Sequence, residues 1–129
     1  MRGKYLLDTS VIIGLFAKDE ATITQLERAK SVFIPSIAVG ELHYGARKSA
    51  RVEANLEQIN RLVAASVVLP SDGETAYWYG IVKDRLRRMG KPIPENDIWI
   101  AAIALQHHLT LATRDKHFQV VEGLRVTMW

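Results

Sequence analysis

Four carboxylates stand where their neighbours give them a place to act. Asp8 closes the apolar run in LLDTSVII (6–13), and Glu41 lies within SIAVGELHYG (36–45). Asp97 heads NDIWIAAIA (96–104), and Asp115 surfaces from LATRDKHF (111–118). Singly, each has an ordinary structural reading. Asp8 caps the helix behind it, Asp97 complements a helix dipole, Glu41 is a solvated helix residue, and Asp115 opens a polar turn. Together, four carboxylates repel one another and lose hydration, a cost that a bound cation removes. Oxygen ligands without cysteine or an obligatory histidine suit Mg²⁺, with Mn²⁺ as a substitute. Such an ion lowers the pKa of water and stabilises charge on a phosphoryl group, so the chemistry expected is metal-dependent phosphodiester cleavage.

That chemistry requires a framework that brings the four acids together. Short β-like runs alternate with helical patterns along the chain. Strands are predicted at Lys4–Leu7, Val32–Ile34, Val67–Leu69, Leu109–Ala112 and Arg125–Met128. Helices are predicted at Thr9–Ala17, Thr22–Lys30, from Ser36 as N-cap to about Arg47, at Val52–Ala65, from a Ser71 or Asp72 cap to Met89, and at Asp97–His108 with Asn96 as cap. Gly90 stands where a C-terminal glycine belongs. Alternation of this kind implies right-handed crossovers and an α/β fold, a mainly parallel sheet of four to five strands between helical layers. Ligands gather at the carboxyl ends of such strands. Asp8 emerges there directly. The helix after Asp97 descends ~16 Å and the following strand climbs ~13–16 Å, which returns Asp115 to the level of Asp97. Glu41 lies roughly 7 Å below the rim, but helical side chains lean toward the N-terminus and glutamate has the extra methylene to reach.

A length of 129 residues fits one domain, 1–129, with a real core. The hydrophobic fraction of 48% and charged fraction of 24% are those of a soluble globular protein. The start, Met1-Arg2-Gly3-Lys4 and a brief apolar run, is too short for a signal peptide, and no stretch is long enough to span a bilayer. Absence of cysteine permits a reducing cytoplasm. Lys and Arg number 17 against 14 Asp and Glu. Setting the four acids aside leaves seven more cations than anions, a lean toward a polyanionic partner. Arg85, Arg87, Arg88 and Lys91, with Arg114 and Lys116 beside Asp115, are candidate phosphate contacts, although the 85–91 run also suits a solvated helix end.

The four motifs, in this order and over essentially the whole chain, resemble those of the PIN-domain family, and within it VapC-type toxins of toxin–antitoxin pairs. The resemblance implies a PIN-like three-layer sandwich and a Mg²⁺-dependent endoribonuclease restrained by a cognate antitoxin. Asp8, Glu41, Asp97 and Asp115 match its metal-binding and catalytic acids. Thr9 or Ser10 and Thr113 match the hydroxyls that support them, and Asn96 matches the polar residue before the third acid. The expected reaction is attack by water with loss of the 3′ oxygen, giving a 5′-phosphate and a 3′-hydroxyl. A homodimer is also implied, as is an antitoxin segment on the apolar stripe of Leu15, Phe16, Ile23 and Leu26, with an antitoxin arginine reaching toward the acids.

Other conspicuous residues favour structural roles. His107-His108 reads as a helix C-terminal pair, and His117-Phe118 as packing for the loop after Asp115, with phosphate contact by His117 the second reading. Tyr77, Trp78, Tyr79 and Trp99 fit a core or dimer interface better than base stacking. A phosphoacceptor receiver domain is disfavoured, because Asp8 is followed by Thr9-Ser10 and the third strand runs into Pro70. A non-catalytic RNA- or protein-binding module on the same fold would be expected to have lost acids, and all four are present.

Overall fold

The computed structural model describes residues 3–129; Met1 and Arg2, half of the N-terminal stretch read above, lie outside the described residues. The chain runs β1 (Lys4–Leu7), α1 (Thr9–Phe16), α2 (Glu20–Arg28), β2 (Ser31–Pro35), α3 (Ser36–Arg47), α4 (Val52–Ala64), β3 (Val67–Leu69), α5 (Gly73–Met89), α6 (Glu95–Gln106), β4 (Thr110–Thr113), a 3₁₀ turn (Lys116–Val120) and β5 (Val126–Met128). The strands form one sheet in the order β3-β2-β1-β4-β5, and every pairing is parallel. The chain winds outward from β1 to β3 and then returns to β1's other side with β4. The direction of winding therefore reverses between β1 and β4, the place where open α/β sheets open a crevice.

Period-two alternation sorts the core onto the two faces of the sheet. Leu6 and Leu111 point into a cluster with Val82, Leu86, Ile98, Ile103 and Phe118 from α5, α6 and the 3₁₀ turn. Leu7 and Ala112 point the other way, into a cluster with Val11, Ile12, Leu42 and Ile59 from α1, α3 and α4. The expected three layers are thus present. Helix α6 is apolar almost all round, with Ile98 and every residue from Ile100 to Ala104 buried, as a helix enclosed by its neighbours requires.

Helix starts differ most from expectation. Helix α2 begins at Glu20 rather than Thr22, because the Asp19 side chain accepts from Thr22 N–H and caps it. Neither Ser36 nor Asn96 is a cap. Pro35 and Pro94 hold the N-cap positions without side-chain bonds, and Ser36 and Asn96 lie inside the first turns. The prolines restrict the backbone at these starts, and Glu95 and Asp97 complement the α6 dipole from within. For α5 the cap is Asp72, in a capping box with Thr75, and Gly90 ends the helix at φ 65°. Strand β4 runs one residue later than expected, to Thr113, which places that hydroxyl on the strand's last residue.

Leu111 is fully buried on β4, between β1 and β5. Leu111→Ala should lower the unfolding free energy by about 2–5 kcal/mol, read from urea denaturation.

Candidate active site

The carboxyl ends of β1 and β4 open into a cleft of about 550 Å³ lined by Asp8, Glu41, Asp97 and Asp115. The four acids come from four separate places: the end of β1, the second turn of α3, the first turn of α6 and the loop after β4. Hydroxyls steady them. Asp8 is buried; its Oδ1 accepts from Ser10 N–H and, at 2.6 Å, from Ser10 Oγ, and its Oδ2 accepts from Thr113 Oγ1. The Asp115 N–H donates to the same Thr113 oxygen at 3.0 Å. Thr9 Oγ1 donates to Glu41 Oε1 at 2.7 Å. Thr9, Ser10 and Thr113 therefore all support acids, Thr9 and Ser10 each serving a different one. Asn96 lines the cleft beside Asp97.

Asp97 is half-buried among charged neighbours. Burial raises its carboxyl above the usual range; His117 opposes that shift, and the nearby charges of Asp8 and Glu41 add to it. His117 is the residue that sequence reasoning placed too far from the chemistry. Its Nε2 hydrogen-bonds Asp97 Oδ2 at 2.6 Å, and its Nδ1 stands 4.0 Å from Asp115 Oδ1. One ligand atom each from Asp97, Asp115 and His117 lies within 4.8 Å of the others, which makes these three a potential metal-holding group. Asp8 and Glu41 line the same cleft outside that group. The available signal was position: His117 follows Asp115 by two residues at the same sheet edge. Anionic oxygens in this number, with one imidazole and no thiolate, fit a hard divalent cation.

The candidate phosphate contacts do not line this cleft. Arg85, Arg87, Arg88 and Lys91 are exposed at the end of α5 and the turn after it, with Arg88 paired to Asp84 one turn away at 3.1 Å. Lys116 is exposed on the 3₁₀ turn, whereas Arg114 is turned aside into an ion pair with Asp19 at 2.7 Å. Tyr79 stacks on Trp99 with ring centres 4.1 Å apart, both half-buried, while Tyr77 is exposed. His107 takes the C-cap position of α6.

The apolar stripe divides. Phe16, with Ile13, Ala17, Leu42 and Ile59, lines a groove of about 370 Å³ that shares Thr9, Ile13 and Glu41 with the acid cleft. Leu15 lines a more basic continuation with Arg51 and Arg61. Leu26 packs against the core and Ile23 is half-buried elsewhere, because α2 turns away from this groove.

The raised proton affinity of Asp97 sets a stability sign. The folded chain binds that proton more tightly than the unfolded chain, so the contribution is full below the ordinary carboxylate value and is lost as pH rises through the raised one. Asp97→Asn removes the ionisation and should raise the melting temperature at neutral pH in the presence of chelator, as followed by thermal denaturation.

Comparison with known proteins agrees with the fold. Residues 5–124 match the model of the PIN domain. The chain is 34% identical to Ribonuclease VapC2 of Haemophilus influenzae and 33% identical to the tRNA(fMet)-specific endonuclease VapC of Shigella flexneri, with 98% of each chain covered in both alignments. It superposes with a TM-score of 0.91, at 30% identity and 98% coverage of both chains, on a chain of the DNA-bound VapBC structure from Salmonella typhimurium. With the family model spanning nearly the whole chain and VapC ribonucleases matching it from end to end, the chain belongs to the PIN domain family, among its VapC members.

Proposed function

We propose that this chain is a Mg²⁺-dependent endoribonuclease, the toxin of a type II toxin–antitoxin pair that acts in the cytoplasm and is silenced by a cognate antitoxin. The observation that carries the reading is the convergence of Asp8, Glu41, Asp97 and Asp115 on one cleft. The names of its relatives, Ribonuclease VapC2 and tRNA(fMet)-specific endonuclease VapC, support RNA as substrate. Asp8, Asp97 and Asp115 would hold the metal, with Glu41 beside them and Mn²⁺ able to substitute. Bound there, Mg²⁺ supplies acidified water and a counter-charge for the phosphoryl group.

The chain's own residues orient the reaction. Ser10 and Thr113 fix both oxygens of Asp8, so that carboxylate cannot rotate away from the cleft. Thr9 occupies Glu41 Oε1 and leaves Oε2 to accept a proton from the attacking water. Water attacks phosphorus in line, the 3′ oxygen leaves and takes up a proton, and the products carry a 5′-phosphate and a 3′-hydroxyl. The ribose 2′-OH takes no part.

The groove beside the cleft suits an apolar antitoxin segment. Because the two share Thr9, Ile13 and Glu41, a basic side chain of that segment can cross into the acids and stand in for the cation. Two copies of the chain are proposed to form a homodimer.

Incubated with total RNA, the purified chain should cut only when Mg²⁺ or Mn²⁺ is present. Asp8→Asn should reduce that rate by more than the roughly 10–100-fold typical of changes to outer-shell partners of a metal. Metal-independent cutting, or 2′,3′-cyclic phosphate ends, would contradict the scheme. Gln58 lines the groove and not the cleft. Gln58→Trp should therefore keep cleaving RNA while escaping inhibition by the co-expressed antitoxin; unchanged inhibition refutes the groove assignment.

A further inference from the structure

Arg114 sits between two residues of the site, Thr113 and Asp115, and its charge alone would assign it to RNA. The structure uses it differently. Its Nη2 donates to Asp19 Oδ2 at 2.7 Å and to Thr22 Oγ1, at the junction of α1 and α2. Thr22 is fully buried and Asp19 caps α2, so the guanidinium grips an ordered corner rather than a mobile side chain.

Gly14 makes that grip possible. A glycine inside a helix is a local liability unless something needs the space above it. A Cβ at Gly14 would come within 2.6 Å of Arg114 Nη2 and 2.7 Å of its Cζ. The guanidinium therefore lies flat on the one part of α1 that has no side chain.

The backbone of the same residue joins the catalytic network. Arg114 N–H donates to Ser10 Oγ at 3.0 Å, and Ser10 Oγ donates to Asp8 Oδ1 at 2.6 Å. Asp8 Oδ2 accepts from Thr113 Oγ1, which in turn accepts from Asp115 N–H. One polar path thus runs from the α1–α2 corner through Arg114 to two of the four acids. The ion pair at its outer end is more than a third exposed on both sides, a setting in which such pairs add little to folding. Geometry is what it supplies. Asp115, on the adjoining loop, is itself half-exposed and has little packing of its own to hold it.

Building on the nuclease reading above, we propose that Arg114 is a positioning residue that clamps the Asp115 loop onto the α1–α2 hairpin and so sets the metal affinity of the acid cleft, and that it is not an RNA contact. Gly14 is its seat and Asp19 its anchor.

The test combines calorimetric titration of Mg²⁺ into RNA-free protein with steady-state RNA cleavage for the wild type, Arg114→Gln, Gly14→Ala and the double variant. Alanine restores helix propensity at position 14, so Gly14→Ala keeps the fold and the arginine while evicting the guanidinium. Each single variant should weaken Mg²⁺ binding about tenfold and raise the Mg²⁺ needed for half-maximal cleavage. KM for RNA at saturating Mg²⁺ should stay within about twofold, and the double variant should be no worse than either single one, as expected of residues acting as a unit. Should Arg114→Gln fail to fold, Gly14→Ala decides. The proposal is overturned if Mg²⁺ binding is unchanged in Gly14→Ala, or if Arg114→Gln raises KM for RNA while Gly14→Ala does not. A wild type that binds Mg²⁺ without cutting RNA defeats the nuclease reading but leaves the clamp to be judged by calorimetry. A wild type that binds no Mg²⁺ defeats both.

Discussion

Concentrated negative charge at one edge of a parallel sheet is the condition to which the rest of this structure answers. Asp8 is almost completely buried, and three further carboxylates face the same cleft. Among the described residues no lysine or arginine lines it. The donors that reach Asp8 and Glu41 are neutral: Ser10, Thr113 and Thr9. A hydroxyl fixes the direction of a carboxylate without cancelling its charge, whereas an arginine would satisfy the carboxylate and fill the space a cation needs. His117, the only histidine among the described residues that line the cleft, hydrogen-bonds Asp97 and stands beside Asp115.

The topology explains why the charge collects here. Strands β1 and β4 are neighbours although more than a hundred residues separate their ends, and the reversal of winding between them opens the crevice. The two apolar clusters clamp both faces of these strands, so the polypeptide emerging from each is aimed rather than free. Helix α6 extends the same control to Asp97: a helix buried nearly all round cannot rotate, and its first turn must present that carboxylate to the cleft.

Positive charge is kept out of the cleft and given other work. Arg88 and Arg114 are each engaged with an aspartate, and the remaining cations of the 85–91 run lie exposed on the last turns of α5 and just after it. The groove along α1 and α4 runs from apolar, beside Glu41, to basic, around Arg51 and Arg61. A long nucleic acid or an extended peptide would thus meet cations at the periphery and anions only at the centre, the order in which electrostatic attraction can draw a polyanion in without trapping it on the acids.

Much of this was legible in the sequence because it depends on local pattern. Period-two and helical spacings revealed the alternating elements, and the strand ends revealed Asp8 and Asp115, since a carboxylate next to a buried run can only emerge at its end. The relation of Asp97 to Asp115 followed from helix rise against strand rise. What pattern could not reveal were partners chosen across the fold: His117 for Asp97, Asp19 for Arg114, Thr9 for Glu41. The two proline-led helix starts were also missed, because side-chain signals for a cap were present in Ser36 and Asn96 and the backbone did not use them. Periodicity along a chain fixes which elements form and which face they bury. Which polar groups meet is decided by distances in three dimensions, where a hydrogen bond of under 3 Å selects one partner from several that are equally plausible in one dimension.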